Sequence, residues 1–485
     1  MNASELFSDL SILERVNWDK TKIFSHISKD SRQAGKNDLF VACRGVKQDG
    51  HDFIAEVLKR GVSGVVYDRE GFLIPETVIG IRVSDTQTLF PELLKRWHHF
   101  SDSSLSILGV TGTNGKTTIS QLLYRLLSTR YKAGTIGTLS YELPSGTQES
   151  GNTTPGSETL IPLLAEMADQ GARYVSMEVS SHALEQRRVS GLQFELAIFT
   201  QLTQDHLDYH GDLETYFQAK RRLFADYHPR HGLINRDCPY GRRLLQEFPK
   251  AKSFSLEGPA DYQAVPIRES LSGCQFDFIY QGKTEKVSIQ LPLNYNISNC
   301  VAVLAGLDLL GLDIRDFIPA LAQVPFIPGR MERVPHPNIH FFVDYAHTPD
   351  AFFQVLSHVR LQKPRKLITV FGCGGDRDRS KRPKMTRVAA DFSDTIVLTS
   401  DNPRTEDPQM ILQEMKMALT PDDSKRIQIL EDLDRARAID CAVQKAEPGD
   451  AVLILGKGHE DYQIIGTTKN HFSDRETVLE ALKKK

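Results

Sequence analysis

The stretch ILGVTGTNGKTTISQLL, residues 107–123, decides how the rest of the chain is read. An apolar run ending at Val110 gives way to glycines and a lysine. After them Ile119, Leu122, Leu123, Leu126 and Leu127 recur at helical spacing on one face. Strand, glycine turn and helix together make a phosphate cradle, because backbone N–H groups at the turn and at the helix start can bind phosphate oxygens. The usual cradle reads G-x-x-x-x-G-K-[ST]. Here Val110 stands where its first glycine belongs, and the core is Gly112-Thr113-Asn114-Gly115-Lys116-Thr117, followed by Thr118. The spacing therefore predicts a short form of the loop. Lys116 would neutralise the β and γ phosphates, and the Thr117 hydroxyl would be placed for Mg²⁺.

Outward from this loop, a chain of 485 residues suggests about three domains. In residues 1–100, DLFVACRG and GVVYD read as strands around the helical HDFIAEVLKRG, a small α/β unit. Residues 101–332 hold the loop, further strands at YVSMEV and LAIFT, and a hairpin in CQFDFIY-QG-KTEKVSIQL. The helix NISNCVAVLAGLDLLG closes this block. The Pro and Gly of PFIPGRMERV mark a linker. Residues 333–485 then repeat strand, loop, helix: IHFFV before DYAHTPD, LITVF before GCGGDRDRSKRP, TIVLTS before DNPRTEDP, AVLIL before GKGHEDYQ. That alternation predicts a Rossmann-like parallel sheet with right-handed crossovers, all four loops leaving its carboxyl end, where ligands sit in such folds. The fold class is thus α/β in three domains: a small N-terminal one, a central P-loop ATPase-like one with a parallel sheet, and a C-terminal Rossmann-like one.

Composition excludes several functions. Apolar residues make up 40% and charged residues 25%, ordinary for a globular protein, and the net charge of -3 supplies no field to recruit nucleic acid or membrane. Cys43, Cys238, Cys274, Cys300, Cys373 and Cys441 form no C-x-x-C pair, so neither zinc nor a disulfide framework is expected. The start MNASELFSDL has no basic region followed by an apolar one, and VAVLAGLDLLGLDI is interrupted by Asp308 and Asp313. These features predict a cytoplasmic protein.

Other residues invite chemistry. Glu178 ends the strand of MEVSSHAL, where a carboxylate beside a phosphate loop can face Mg²⁺; a solvated glutamate is the plain alternative. Asp205, His206, Asp208, His210 and Asp212 crowd one segment, which suits a magnesium-related site better than zinc next to an ATP-type loop, while Asp212 reads as a helix cap. Arg377, Arg379, Lys381 and Arg382 follow one strand and Arg404 follows Asp401-Asn402-Pro403. Arginine forks suit carboxylates, although Arg404 could equally answer Glu406 or Asp407 on the surface. GCGGDR does not form G-x-G-x-x-G, so no dinucleotide site is expected there.

Taken in order, TGTNGKTT, GNTTPGSETL, MEVSSHALEQRRV, TQLTQDHLDYHGDLETYFQAKRRLF, NYNISN, PGRMERV, DYAHTPD, GCGGDRDRSKRP, DNPRTEDP and GKGHEDYQ resemble the Mur ligases over nearly the whole chain. The resemblance is thinnest in the first block, where DSR and DGHDF carry it. It implies an ATP-dependent amide ligase of peptidoglycan precursor synthesis. A carboxylate is phosphorylated and an amine then displaces the phosphate. Its implied substrates are ATP, UDP-MurNAc-L-Ala-D-Glu and meso-diaminopimelate, with Mg²⁺ as cofactor, no nucleic-acid or membrane partner, and a monomer as the working form. It places Gly112 to Thr118, Asn299, Arg330 and Asp344 on ATP. Lys116, Glu178, His206 and Lys220 become the catalytic set, and Thr117, Glu178, His206 and an N-carboxylated Lys220 the metal environment. Ser31, Asn152, Thr153, Thr154, Ser180, Gln186 and Arg188 would hold the nucleotide-linked dipeptide. Arg377, Asp401, Asn402, Pro403, Arg404, Gly456 and Glu460 would hold the amino acid. His347 is a candidate to take the proton of the acceptor amine, with a structural hydrogen bond as its other role. Two other readings stay open: a folylpolyglutamate synthase-like ligase, and an ATPase that drives a conformational switch on a protein partner.

Overall fold

The computed structural model describes residues 1–45 and 48–485; the side chain of Asp208, one of the acidic residues singled out above, also lies outside the described set. The chain groups into two compact units. The first comprises Met1–Thr111, Leu123–Ile198 and Gln218–Gly232, the second Gly112–Leu122, Phe199–Phe217 and Leu233–Lys485.

In the first unit, β1 (Glu14–Val16), β2 (Ile27–Ser28), β3 (Leu39–Val41), β4 (Gly64–Tyr67) and β5 (Ile79–Arg82) form a sheet in the order β1-β5-β4-β3-β2. It is parallel except for β1 at its edge, and Phe40, Val57 and Val65 pack in the core beneath it. The unit also holds β6 (Ser106–Thr111), β7 (Ala133–Ile136), β8 (Ser140–Leu143), β9 (Gly146–Glu149), β10 (Tyr174–Glu178) and β11 (Phe194–Phe199), in the order β11-β6-β10-β7-β8-β9. β6, β10 and β7 are parallel, and β8 and β9 fold back antiparallel. Glu178 is the last residue of β10, so its side chain stands at the sheet's carboxyl end.

In the second unit, β12 (His231–Asn235), β13 (Lys252–Ser255) and β14 (Tyr262–Ser270) run parallel, and β15 (Gly273–Tyr280) and β16 (Lys283–Ile289) follow antiparallel. The β15–β16 turn is the expected one. Gln281 and Gly282 have φ of 46° and 74°, a two-residue turn whose twist matches that of its strands. Helix Asn294–Leu309 is buried on every side from Asn299 to Leu307, as the apolar run from Cys300 to Leu307 requires.

The C-terminal sheet contains β17 (Glu332–Val334), β18 (His340–Asp344), β19 (Leu367–Phe371), β20 (Thr395–Leu398), β21 (Gln428–Glu431) and β22 (Ala451–Leu455), in the order β17-β18-β22-β19-β20-β21. All its pairs are parallel except β17–β18. Alternate residues supply two cores: Phe342, Phe371, Leu398 and Leu453 on one face, Phe341, Val370, Val397 and Val452 on the other. Burial on both faces is why these strands read as continuous apolar runs. A small hairpin, β23 (Tyr462–Ile465) and β24 (Thr468–His471), follows β22.

The segment expected to be a linker is instead built in. Ile327 and Met331 are buried, Arg330 N–H closes a turn onto Ile327 C=O, and the Glu332 carboxylate accepts from Gly329 N–H at 2.9 Å. A Cβ on Gly329 (φ +63°) would lie 2.2 Å from the His459 nitrogen. Its proline and glycine serve a tight entry into β17 rather than freedom.

Candidate active site

The short phosphate loop is locked by its neighbours in the second unit. Thr113 N–H donates to Gln201 C=O at 2.7 Å, and the Thr200 hydroxyl donates to Asn114 C=O at 2.6 Å. Gly112 has φ of +148°, and a Cβ there would sit 1.9 Å from Thr200 Oγ1; on Gly115 (φ +88°) it would sit 2.7 Å from Asn299 Oδ1. Both glycines are therefore obligatory. The Lys116 ammonium curls back onto Gly112 and Thr113 C=O, both at 2.9 Å, a ring that a phosphate oxygen could enter. Gly112→Ala combines left-handed strain of about 1–3 kcal/mol with this clash, so ATP affinity measured by calorimetry is expected to fall about a hundredfold or more. Unaltered binding would contradict the role of the loop.

Around the loop, Asn299 Nδ2 donates to Asn296 Oδ1 at 3.1 Å, and Asn296 Nδ2 donates to Pro292 C=O at 2.8 Å. Arg330 donates to Thr117 Oγ1 at 3.0 Å and lies over the Tyr345 ring at 4.8 Å. Asp344 accepts from Met331 and Ala346 N–H at 2.6 and 2.7 Å; burial raises its pKa, with Arg330 pulling the other way. The structure thus brings Asn299 against Gly115 and Arg330 against Thr117, while Asp344 fixes the backbone that carries Arg330. His347 Nδ1 contacts Tyr345 C=O at 2.8 Å, and burial, then the nearby Lys381, lowers its pKa, with Asp205 pulling the other way. Its observed contact is the structural one. Burial opposes ionisation of Asp205, yet His206, His347 and Lys116 together outweigh it and hold the carboxyl below the usual range. Asp212 caps its helix through Thr215 N–H at 2.7 Å, as expected.

The first unit gathers six of the seven residues assigned to the nucleotide-linked peptide. Tyr141 OH donates to Asn152 C=O at 2.6 Å and accepts from Asn152 N–H at 3.1 Å. Thr153 Oγ1 meets Thr138 Oγ1 at 3.0 Å, while Thr154 Oγ1 donates to Glu178 C=O and accepts from Ser180 N–H. Arg188 donates to Thr154 C=O at 2.8 Å and through two nitrogens to Gln186 Oε1. Glu178 belongs to this cluster: its Oε1 accepts from Thr138 N–H at 2.7 Å and its Oε2 from the Thr138 hydroxyl at 3.2 Å. No hydrogen bond among the described residues ties Ser31 to the group.

Lys220 lies on helix Leu213–Ala225, in a face shared with Tyr216, Phe217, Leu223 and Phe224, all at most 3% exposed; Lys220 itself is 1% exposed. Among the described residues, no three His, Cys, Asp or Glu side chains form a metal cage. Hydroxyl and carboxylate oxygens such as those of Thr117 and Glu178 are nevertheless the hard donors that Mg²⁺ prefers, and that ion usually takes few protein ligands. His206 (φ +53°) is half exposed beside Asp205, 3.4 Å away.

The C-terminal loops converge in the second unit. Asn402 Nδ2 donates to Glu460 Oε2 at 2.9 Å, and a Cβ on Gly456 (φ +113°) would lie 2.7 Å from Asp401 Oδ2. Arg404 adopts φ of +52°, its N–H donating to Ile464 C=O and one guanidinium N–H to Gly375 C=O at 2.7 Å. Glu406 pairs with Arg382 at 2.9 Å and Arg379 at 3.0 Å, and Asp407 caps helix Pro408–Lys416. Among the described residues the Arg404 guanidinium makes no ion pair. Arg377 is exposed and, among the described residues, reaches only Asp376 C=O, at 3.3 Å.

Arg382, one of the basic cluster whose forks suit carboxylates, is wholly buried between Glu406 and Glu414 and ties Gly374 to the 401–407 loop. Arg382→Met takes from Glu406 its buried partner, the one that chiefly holds its carboxyl down at about 2, and leaves it only the exposed Arg379 and the Asp376 N–H. The expected loss is about 3 kcal/mol by chemical denaturation, the lower end for a broken buried pair because both glutamates keep some solvent. A change under about 0.5 kcal/mol, the size of an ordinary surface substitution, would contradict it.

Three family descriptions match in succession: Mur ligase family, catalytic domain, over residues 24–98; Mur ligase middle domain over 110–307; and Mur ligase, glutamate ligase domain, over 329–458. A UDP-N-acetylmuramoyl-L-alanyl-D-glutamate–2,6-diaminopimelate ligase of Gloeobacter violaceus is 41% identical, the match covering 95% of this chain and 94% of that protein. The chain belongs to the Mur ligase family. A ligase of the same name from Bacteroides fragilis is 39% identical, with 93% of each covered. A solved structure of a ligase of that name superposes with a TM-score of 0.73 at 33% identity, covering 100% of this chain and 99% of the other. A Mycobacterium tuberculosis folylpolyglutamate synthase shares the fold, with a TM-score of 0.60 at 18% identity over 76% of this chain and 91% of that one. The three-domain α/β architecture read from the sequence is that of this family.

Sequence reading missed several residues that hold the candidate site: Thr138, Tyr141, Thr200 and Asn296, together with Lys457, which donates to Asn402 Oδ1 at 3.2 Å, and Gln463, which donates to Asp401 C=O at 2.7 Å. Only Asn296 had a usable signal, since it precedes Asn299 by one helical turn in NYNISN.

Proposed function

We propose that this Mur ligase joins meso-2,6-diaminopimelate to the D-Glu carboxylate of UDP-MurNAc-L-Ala-D-Glu at the expense of ATP, as a cytoplasmic, monomeric enzyme of peptidoglycan precursor synthesis. Domains 1–100, 101–332 and 333–485 would bind the nucleotide-linked peptide, ATP and the amino acid respectively. The D-Glu carboxylate takes the γ-phosphoryl group, giving an acyl phosphate. The amine of diaminopimelate then attacks the acyl carbon, and phosphate leaves as the amide forms. Lys116 and the loop N–H groups hold the phosphates in line, and catalysis is mostly positioning and charge neutralisation. Mg²⁺ would spread the negative charge of the transferring phosphoryl group, held by Thr117, Glu178, His206 and Lys220 as its carbamate. Asn152 to Thr154, Ser180, Gln186, Arg188 and Ser31 would bind the nucleotide-linked peptide.

The observation that carries this reading is the half-buried Arg404 guanidinium, which makes no ion pair among the described residues, in the loop whose Asn402 donates to Glu460, in a chain that also holds a phosphate loop. It suits a ligand with a carboxylate and an amine at the same end. The test is ADP release. Steady turnover is expected only with ATP, Mg²⁺, UDP-MurNAc-L-Ala-D-Glu and diaminopimelate together. Rapid turnover on ATP and Mg²⁺ alone would favour a switch ATPase instead.

A further inference from the structure

We propose that Lys457 is a positioning residue that sets the charge balance and amide orientation of the amino-acid pocket, so that a distal carboxylate is accepted there. This rests on reading the 401–404 and 456–460 loops as the amino-acid site. Lys457 is 0% exposed and sits between Gly456 and Gly458. A Cβ on Gly458 (φ +55°) would lie 2.6 Å from Tyr345 Cβ, so the backbone that carries the lysine has little latitude. Its ammonium donates to Asn402 Oδ1 at 3.2 Å and Glu460 Oε2 at 3.0 Å. Asp401 Oδ1 lies 4.0 Å away and the Tyr462 ring 5.4 Å.

Counting donors and acceptors shows what this arrangement leaves open. Asn402 Oδ1 accepts from both Lys457 and Ile464 N–H, the latter at 2.9 Å, so its lone pairs are used and the amide cannot flip. One Nδ2–H goes to Glu460 Oε2, and the other has no partner among the described residues. Glu460 Oε2 thus takes two donors, and its Oε1 has none among the described residues. The fixed amide leaves an N–H for a carboxylate, and Glu460 leaves one oxygen for an ammonium. Charge follows the same count. Asp401 and Glu460 are two carboxylates, and Lys457 and Arg404 offset them, so the loops are neutral as a set and match the zwitterionic far end of diaminopimelate. Without Lys457 the amide is released and the unbalanced negative charge repels an incoming carboxylate. Both effects disfavour diaminopimelate relative to lysine, which lacks the distal carboxylate.

The experiment compares kcat/KM for diaminopimelate and lysine in the full-length wild type, Lys457→Met and Lys457→Gln. Glutamine is the second variant because it keeps a donor for the buried site if methionine prevents folding. Each variant is expected to lose about tenfold or more of the preference for diaminopimelate, with KM for ATP and for UDP-MurNAc-L-Ala-D-Glu unchanged. A purely structural lysine would lower kcat/KM for both amino acids by one factor, and that result, or an unchanged preference, overturns the assignment of Lys457 alone. A wild type that ligates neither amino acid overturns the reading of the pocket, and Lys457's role with it.

Discussion

Replacing Lys220 with alanine is expected to lower ligation by about three orders of magnitude while leaving the fold in place. Lys220 lies at the centre of a buried helix face, one turn from Tyr216 and Phe217 on one side and from Leu223 and Phe224 on the other. A lysine at 1% exposure is seldom a bystander, since this side chain is almost always exposed. Addition of the neutral amine nitrogen to CO₂, with loss of one proton, turns the lysine cation into a carbamate anion. The change converts a group that repels Mg²⁺ into an oxygen donor of the class this ion selects. If that carbamate oxygen serves Mg²⁺, removing it would forfeit several kcal/mol of charge stabilisation, which sets the size of the expected loss. Near-wild-type circular dichroism and a cooperative melt would show that the variant is folded. Formate or acetate is then expected to restore part of the turnover, because the truncated side chain leaves room where an anion is wanted. Rescue by a small carboxylate cannot come from repairing an unfolded protein. Full activity in Lys220→Ala would remove the residue from the mechanism.

What the sequence discloses and what it hides divide by range. The phosphate loop, the Gln281-Gly282 hairpin and the cap at Asp212 depend on residues within a few positions of each other, and all were legible. So were the strands of the C-terminal sheet, because burial on both faces demands an unbroken apolar run. The supports of the site were not legible, because they join residues far apart. Thr138 reaches Glu178 over 40 positions, Lys457 reaches Asn402 over 55, and Arg330 reaches Thr117 over 213. Local composition even misdirects. Arg382 stands among Arg377, Arg379 and Lys381 with nothing local to set it apart, yet carboxylates 24 and 32 positions away draw it wholly inside. PFIPGRMERV reads as a linker because proline and glycine mark turns, but here the turn is buried against His459. The left-handed backbone of Arg404 has no local signal at all; the hairpin imposes it through Ile464 C=O and Gly466 N–H.

Arg404→Ala is expected to remove most of a strong preference for diaminopimelate over lysine. The two amino acids share an attacking amine and an aliphatic chain. They differ at the far end, where diaminopimelate carries a carboxylate beside its second amine. A guanidinium can grip that carboxylate with two parallel hydrogen bonds, whereas a lysine ammonium would be repelled by it. The plain alternative, a surface arginine answering Glu406 or Asp407, does not match the contacts. Glu406 is engaged by Arg382 and Arg379, and Asp407 accepts from Gln409 N–H at 2.9 Å. Arg404 spends one N–H on Gly375 C=O, which aims the planar group and leaves its other donors for a ligand. Its left-handed backbone, held by two hydrogen bonds to the 464–466 turn, is a strain the fold sustains at this position. Losing one partner of a desolvated charged pair costs about 2–5 kcal/mol. Half-burial of Arg404 argues for the lower part of that range, or roughly 30- to 150-fold in selectivity. The measurement is kcat/KM for both amino acids in the wild type and in Arg404→Ala, with KM for ATP as the control that stays constant. Arg404→Lys is expected to recover only part of the preference, since an ammonium supplies the charge but not the planar fork. A wild type that favours lysine would sink the assignment of the amino acid. A mutant with unchanged selectivity would sink the role of Arg404 and leave the carboxylate to Arg377 or Asn402.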